Sequence, residues 1–354
     1  MSLARHTRRR LLVLCATASL PALAGAAPTG DALERAAVAV REPGRAVLLG
    51  AALAGERIVA VGERGIVALS DDGARRWRQA SVPTSVTLTA VRFADARQGW
   101  AIGHGGTVLG TDDGGERWTR RLDGRRAAQI VLDAARAGGD ARAVQDAERL
   151  VADGPDKPLL DLLLRGGPRL LVVGAYGLAL ASDDGGQSWQ SWMARLPNPK
   201  GLHLYAARQR GQTVLLAGEQ GLVLLSSDGG LSFRRVETPY KGSFFAAELP
   251  GEEGIVLAGL RGHALRSVDG GASWGPISAP IPASITATAL AVDGRLLAAN
   301  QAGFVMALQG DKLVPLHAAP LPPLNGLLAR AGAPLLALTV QGAMNVGAGS
   351  GRTP

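Results

Sequence analysis

The sequence predicts an all-β fold, a seven-bladed β-propeller carrying a short α-helical hairpin between blades 2 and 3. Three observations predict it. A unit of about 40 residues recurs along the chain, and each copy divides into four short apolar runs. Glycine is also used heavily, at 48 of 354 residues, beside an apolar fraction of 47%. Short strands joined by tight turns need that composition, and a chain so apolar is not disordered.

Each copy reads as a few apolar residues, Gly-x-x-Gly, alternating apolar residues, then a hydroxyl residue, Asp-Gly and an aromatic. The first runs from Val61-Gly62-Glu63-Arg64-Gly65 through Ser70, Asp72, Gly73 and Trp77. The second has Gly103, Gly106, Thr111, Asp113, Gly114 and Trp118, and the third Gly174, Gly177, Ser182, Asp184, Gly185 and Trp189. The fourth has Gly218, Gly221, Ser226, Asp228, Gly229 and Phe233, and the fifth Gly259, Gly262, Ser267, Asp269, Gly270 and Trp274. Two worn copies follow: Asn300–Val305 keeps the turn and a strand, and Thr339–Met344 keeps the turn and the start of one. The second glycines, Gly65, Gly106, Gly177, Gly221, Gly262, Gly303 and Gly342, stand 41, 71, 44, 41, 41 and 39 residues apart. The one long interval is a repeat plus an insertion.

Within a copy the runs read as strands A to D. In the first they cover 47–53, 57–62, 65–70 and 76–80. A four-stranded sheet that is apolar on both faces must be covered by neighbours, and a closed ring leaves none bare. The seventh copy lacks a D strand of its own. Ala37-Val38-Ala39-Val40, ahead of the first blade, is expected to supply it and pin the termini together. The insertion, 123–158, reads as two helices, 125–137 and 141–152, broken by Gly138-Gly139 and restarted by Asp140 as N-cap. In an antiparallel blade the B–C turns and D–A connections share one face, so this hairpin is expected to stand beside those turns.

The N-terminus reads as a leader. Arg5, Arg8, Arg9 and Arg10 precede an apolar stretch, 11–20, and small residues near Ala24–Ala27 suit a peptidase. Residues 1–27 are therefore expected to be a signal peptide, and 28–354 one exported, periplasmic or secreted domain. With the leader goes the only cysteine, Cys15, and four arginines, so the formal charge drops from +8 to +4. The basic balance then says little about nucleic acid, and the expected compartment argues against it as a partner. No other stretch is long enough to span a membrane.

The hydroxyl-x-Asp-Gly hairpins suit structure better than chemistry. The Asp carboxylate can accept loop N–H groups, the glycine takes φ > 0, and the aromatic clamps neighbouring sheet. Asp72, Asp113, Asp184, Asp228 and Asp269, with Trp77, Trp118, Trp189, Phe233 and Trp274, are expected to be structural. Recurring once per blade, they cannot converge on one catalytic or calcium site. His104, His203, His263 and His317 fall in separate blades without metal-ligand spacing, so no metal and no cofactor is expected. The B–C turn face is the candidate binding face, since insertions favour the binding side of repeat proteins. Its candidate residues are Arg64, His104, Tyr176, His203, Tyr205, Gln220, Arg261 and Gln301.

The hairpins match the Asp-box of BNR repeats. Over nearly all the mature chain, the Gly-x-x-Gly turn followed by Ser-Asp-Asp-Gly-Gly-x-x-Trp, as in Gly174–Trp189, resembles the photosystem II stability/assembly factor-like family of propellers. The resemblance implies a non-enzymatic scaffold or assembly factor that holds a membrane-associated protein partner, acting as a monomer. That family is marked by arginines on one face. Arg64 and Arg261 stand in matching turns here, but Gly105, Tyr176 and Gln220 take the equivalent places in other blades. The alternative is a sialidase-like glycoside hydrolase or a glycan-binding propeller, since sialidases also carry Asp-boxes. Hydrolysis of that kind needs three arginines gripping a carboxylate and a Tyr–Glu nucleophile pair. The chain has three tyrosines, Tyr176, Tyr205 and Tyr240, and outside the Asp-boxes only Trp100 and Trp192.

Overall fold

The computed structural model describes residues 30–347, so the expected leader lies outside the described residues. Seven antiparallel sheets follow one another along the chain, six of four strands and one of three, consistent with a seven-bladed propeller. In each, the strands, A to D in six sheets and A to C in the seventh, are paired in sequence order. The A strands are Leu48–Ala54, Leu88–Phe93, Leu159–Leu164, Leu204–Arg210, Phe244–Glu248, Ile285–Leu290 and Leu324–Leu328. Each A strand contacts the next, and the seventh returns to the first, so they form the inner wall of a closed ring. The B strands, such as Gly99–Gly103 and Leu170–Gly174, are buried along their whole length. That is the pattern of sheets covered on both faces.

The seams between blades are the core. The aromatic five residues after each Asp-box aspartate sits in the seam with the preceding blade. Trp118 of blade 2 packs with Val59, Leu69 and Leu109, and Trp189 of blade 3 with Trp100, Val108 and Leu180. Trp77 of blade 1 packs with Leu336 and Leu338 of blade 7 and so covers the closing seam.

The Asp-box turns have the expected geometry. In blade 4, Ser226 Oγ donates to Asp228 Oδ1 at 2.6 Å and accepts from Gly230 N at 2.8 Å. The Asp228 carboxylate accepts from the Leu231 and Ser232 amides. Blades 1, 2, 3 and 5 repeat the hydroxyl-to-aspartate bond. A carboxylate so ringed by donors favours its charged form. The Ser188 hydroxyl and amide hold Asp184 down to about 2, and the Ser273 hydroxyl and amide hold Asp269 down to about 2.

A further use of this turn follows from the structure. The carbonyl of the first glycine after the aspartate points out of the turn and accepts a donor from the preceding blade, in all five intact copies. Arg57 Nη1 reaches Gly114 O at 3.1 Å, Trp100 Nε1 reaches Gly185 O at 2.9 Å, and Arg234 Nη2 reaches Gly270 O at 3.3 Å. Arg165 Nη2 bonds Gly229 O. Asn345 Nδ2 of blade 7 reaches Gly73 O of blade 1 at 3.1 Å.

That last bond corrects the expected closure. Ala37–Val40 does not join blade 7. The Ala37 and Val38 amides donate to Val82 O and Arg64 O, and the Val40 amide to the Gln79 side chain, so the segment runs over blade 1. Among the described residues blade 7 has three strands, and it closes on blade 1 by packing, by Asn345, and by Asn325 Nδ2 on Leu48 O at 3.0 Å.

The two helices, α1 (Gly124–Gly138) and α2 (Ala141–Asp153), lie in the chain between blades 2 and 3. Asp123 and Asp140 cap them by accepting from the first-turn amides. The hairpin begins beside a B–C turn, as expected. Helix α1 starts against the His104–Gly106 turn and contacts the D strand of blade 3, and its Arg126 reaches Gln187 O. Its apolar stripe, Ala127, Val131 and Leu132, needs cover and finds it in one cluster with Leu178 and Trp189.

Two outcomes are expected. Trp118→Ala removes a buried seam side chain and should lower unfolding free energy by about 3–5 kcal/mol in urea titrations, more than Trp77→Ala at its half-exposed seam. Acid should also loosen the ring. Asp184 and Asp269 have lower pKa values folded than unfolded, so their contribution is complete above the unfolded value near pH 4 and is lost as pH falls toward 2. The melting temperature should fall across that window, and the doubly substituted Asp184→Asn/Asp269→Asn chain should show a shallower fall.

Candidate partner-binding face

In blades 1 to 5 each B–C turn is a single tight loop whose middle residue sits in the left-handed region. In blades 1, 3, 4 and 5 that residue is Arg64 (φ 55°), Tyr176 (φ 56°), Gln220 (φ 53°) and Arg261 (φ 58°). Blade 2 has Gly105 there, at φ 65°. The following glycine is required for a different reason, since a Cβ on Gly65 would lie 2.0 Å from Thr84 O. A bulky L-residue in this conformation costs about 1–2 kcal/mol relative to the right-handed region, and glycine would avoid the cost. Four side chains are thus held at an energetic cost on one face, and all four are exposed.

The structure brings three of the candidate residues together. Tyr176 and His203 lie with ring centroids 5.1 Å apart, and His203 and Tyr205 6.1 Å apart. The run continues to Phe245, 5.3 Å from Tyr205, a residue the sequence reading missed. The rings are tilted to one another by 49°, 66° and 72°, so they pack as a contiguous row rather than a flat platform. Lys157 Nζ lies 5.0 Å from the Tyr176 ring centroid and is tied to Asp153 and Asp156. Glu219 accepts from the His203 amide at 3.2 Å. Burial pushes the Tyr205 hydroxyl pKa up, and the Glu219 charge adds to it.

Arg64, His104, Gln220, Arg261 and Gln301 remain one to a blade around the same face. Arg261 and Gln301 are linked only through Ser284, whose Oγ and O accept their amides.

Tyr205 and Phe245 are aimed by a device that every blade shares. In each A strand the register slips once, between the first and third residues, leaving one bulged residue. These are Leu49, Thr89, Leu160, Tyr205, Phe245, Thr286 and Asn325, all half-buried. A bulge re-aims its side chain and often adjoins a working site. The polar members serve the ring itself: Thr89 Oγ1 donates to Leu159 O and Thr286 Oγ1 to Leu324 O, both at 2.7 Å, and Asn325 bonds Leu48 O. Blades 3, 4 and 5 instead place Leu160, Tyr205 and Phe245 in succession. The sequence did carry a signal, since the bulged residue stands 16 or 17 positions before the shared turn glycine in every copy. Aligning the copies locates the position, although nothing in it announces the slipped register.

A second group unread from the sequence lies on the A strands of blades 2 to 6. Asp161 is paired with Arg92 at 3.1 Å and Arg208 at 2.6 Å, and Arg208 lies 3.6 Å from Glu248, which accepts from Thr288. Burial works to raise the Asp161 pKa, but Arg208 and Arg92 prevail and hold it low. Burial pushes Glu248 up against the pull of Arg208. These inner arginines are engaged by carboxylates of the chain itself, unlike the open arginine grip a sialidase needs.

With this geometry, the comparisons with known proteins become informative. Residues 68–144 match the family model described as photosynthesis system II assembly factor YCF48. The fold is that of a photosystem II assembly factor-like β-propeller. Among solved structures, YCF48 bound to D1 peptide aligns with a TM-score of 0.63 at 14% identity, over 87% of this chain and 94% of that one. YCF48 from Cyanidioschyzon merolae aligns at 0.61 and 15% identity, over 86% and 94%. The RRP9 WD40 repeats align at 0.62 and 13%, over 86% and 89%, a likeness of fold alone. No curated protein matches the sequence.

Proposed function

We propose that the chain is a non-enzymatic, exported scaffold or assembly factor whose B–C face holds a protein partner, acting as a monomer in the periplasm on a membrane-associated client. The observation that carries this reading is the retention of Arg64, Tyr176, Gln220 and Arg261 in left-handed turns that glycine would fill without strain. Among the described residues the Asp-box face has one such residue, Ala74 (φ 72°), whereas the B–C face has four, beside a run of half-buried aromatic rings, which supports a binding role for those side chains. The Asp-box face is built differently, from the same turn repeated five times and consumed by its own hydrogen bonds.

The likeness to YCF48 supports an assembly role, and one such protein is described as bound to D1 peptide. Export is supported by the basic and apolar leader pattern and by a mature sequence without cysteine. Among the described residues, no helix is long and apolar enough to cross a membrane.

The test is site-specific photo-crosslinking in cells of the source organism, with benzoylphenylalanine placed at Gln220 on the B–C face or at exposed Leu231 on the Asp-box face. A discrete adduct from Gln220 and none from Leu231 is the expected result. Adducts from Leu231 alone would reject the face. Arg64→Gly and Arg261→Gly should each stabilise the fold by about 0.5–1 kcal/mol in denaturant titrations while reducing the adduct from Gln220. Fractionation of the tagged full chain should find it processed and periplasmic; an unprocessed cytoplasmic product would remove the localisation.

A further inference from the structure

We infer that residues 31–40 form an autoinhibitory strap, docked on the B–C face over blades 1 and 2, and that this sector of the face opens to a partner only when the strap lifts. The inference rests on the reading of this face as partner-binding and adds its regulation from within the chain.

The ring is complete without this segment. Blades 1 and 2 each pair four strands, and residues 31–40 join neither sheet. Yet the ring holds a seat for it. Leu33, 3% exposed, is its one buried side chain and joins the seam cluster that contains Val82, Val86 and Leu88. Blade 2 has Gly105 at the middle of its B–C turn, where blades 1, 3, 4 and 5 carry Arg64, Tyr176, Gln220 and Arg261. A Cβ on Gly105 would lie 2.8 Å from Leu33 Cδ2. The strap therefore stands where the other blades present a side chain.

Its polar bonds bridge the sector. The Val38 amide donates to Arg64 O at 3.2 Å. Ala32 O accepts from the Ser85 amide and the Thr84 hydroxyl, both at 2.9 Å, on the connection between blades 1 and 2. Arg35 Nε donates to Ser85 Oγ at 3.0 Å, and Glu34 is paired at 2.8 Å with Arg120 of the blade 2 D strand. A partner seated across blades 1 and 2 meets the strap before it meets either turn.

These contacts hold the strap without locking it. The Glu34 side chain is 61% exposed, and an ion pair so open to water adds little. One buried leucine favours the docked state by roughly 10- to 150-fold, and the entropy of ordering the rest of the segment works against it. A segment with a single apolar anchor and no place in a sheet opens locally, far more often than the ring unfolds. Lifting it uncovers Ser85, 7% exposed in the docked state, and the glycine turn beside exposed His104.

The test starts from a Cys15→Ala chain, which has no other cysteine, so that an introduced thiol is the only one. With Leu33→Cys, thiol labelling in native buffer should run at least about tenfold faster than with Leu109→Cys, a fully buried ring position that reports global unfolding. Adding Gly105→Gln, a side chain that blade 4 accepts at its own turn, should expel the strap and speed Leu33→Cys labelling severalfold further in a chain shown by circular dichroism to be folded. Glu34→Ala, which leaves the ring untouched, should speed it in the same direction. In cells of the source organism, benzoylphenylalanine at His104 should give a partner adduct that rises severalfold in the Gly105→Gln chain, while the adduct from Gln220 holds. Labelling no faster than at Leu109→Cys, no acceleration by either variant, or a His104 adduct indifferent to Gly105→Gln would each overturn the inference. Absence of any adduct from Gln220 would instead remove the partner-binding reading and the masking with it, and the labelling rates would still decide whether the strap lifts.

Discussion

The ring depends on one carbonyl. A hydroxyl, a carboxylate and two small residues fold each Asp-box into a turn whose internal donors are all consumed, which leaves the first glycine's oxygen facing the neighbouring blade. Five seams use it, with donors as different as Arg57, Trp100, Arg165, Arg234 and Asn345. The acceptor is backbone and therefore fixed by the turn, so the donor can vary freely in type and origin. Seam packing is apolar and non-directional. The glycine oxygen supplies what packing lacks, a fixed point that sets the angle between consecutive sheets. Where the Asp-box is worn away, other bonds take over. Between blades 5 and 6 the Ser278 amide donates to Asp311 O and the Leu313 amide to Ser278 O, while Thr288 reaches Glu248.

This explains which parts of the fold were legible in the sequence. Period, blade number, strand order and the helix caps at Asp123 and Asp140 are local or repetitive, and each leaves a mark at fixed spacing. Closure left none. Ala37–Val40 has the alternation of a strand, yet its amides bond Val82, Arg64 and Gln79 because that edge of blade 1 lies within reach. The true closing residue, Asn345, is a lone polar residue in a worn repeat whose partner is 272 positions away. The helical hairpin was read correctly as two helices beginning beside a B–C turn, but what covers its apolar face was not, since amphipathic spacing says that a face must be buried and is silent about where. The face found was the groove beside Trp189.

The candidate face divides in the same way. Tyr176, His203 and Tyr205 could be drawn together from strand direction alone, because turn and strand ends of adjacent blades converge near the axis. Phe245 was passed over because it sits beside Phe244, which is fully buried, and an apolar pair reads as core. Only the slipped register separates them, turning Phe244 into the seam and Phe245 toward Tyr205. The buried pairs of Arg92, Asp161, Arg208 and Glu248 were hidden for a related reason. Single charges in strands of different blades have no sequence pattern, although burial makes an unpaired one too costly to keep.

The two faces carry different kinds of information. On the Asp-box side, five copies of one turn leave little room for a feature that occurs once, because any change there breaks a hydrogen bond that the seam needs. On the B–C side the turn backbone is kept by the glycine that follows, and its middle residue contributes almost nothing to the ring. That position is free to be Gly105 in blade 2 and yet is Arg64, Tyr176, Gln220 and Arg261 elsewhere, each less comfortable in a left-handed turn than glycine. A residue that the fold does not need, held in a conformation that the fold would rather relax, has to be accounted for by something outside the chain.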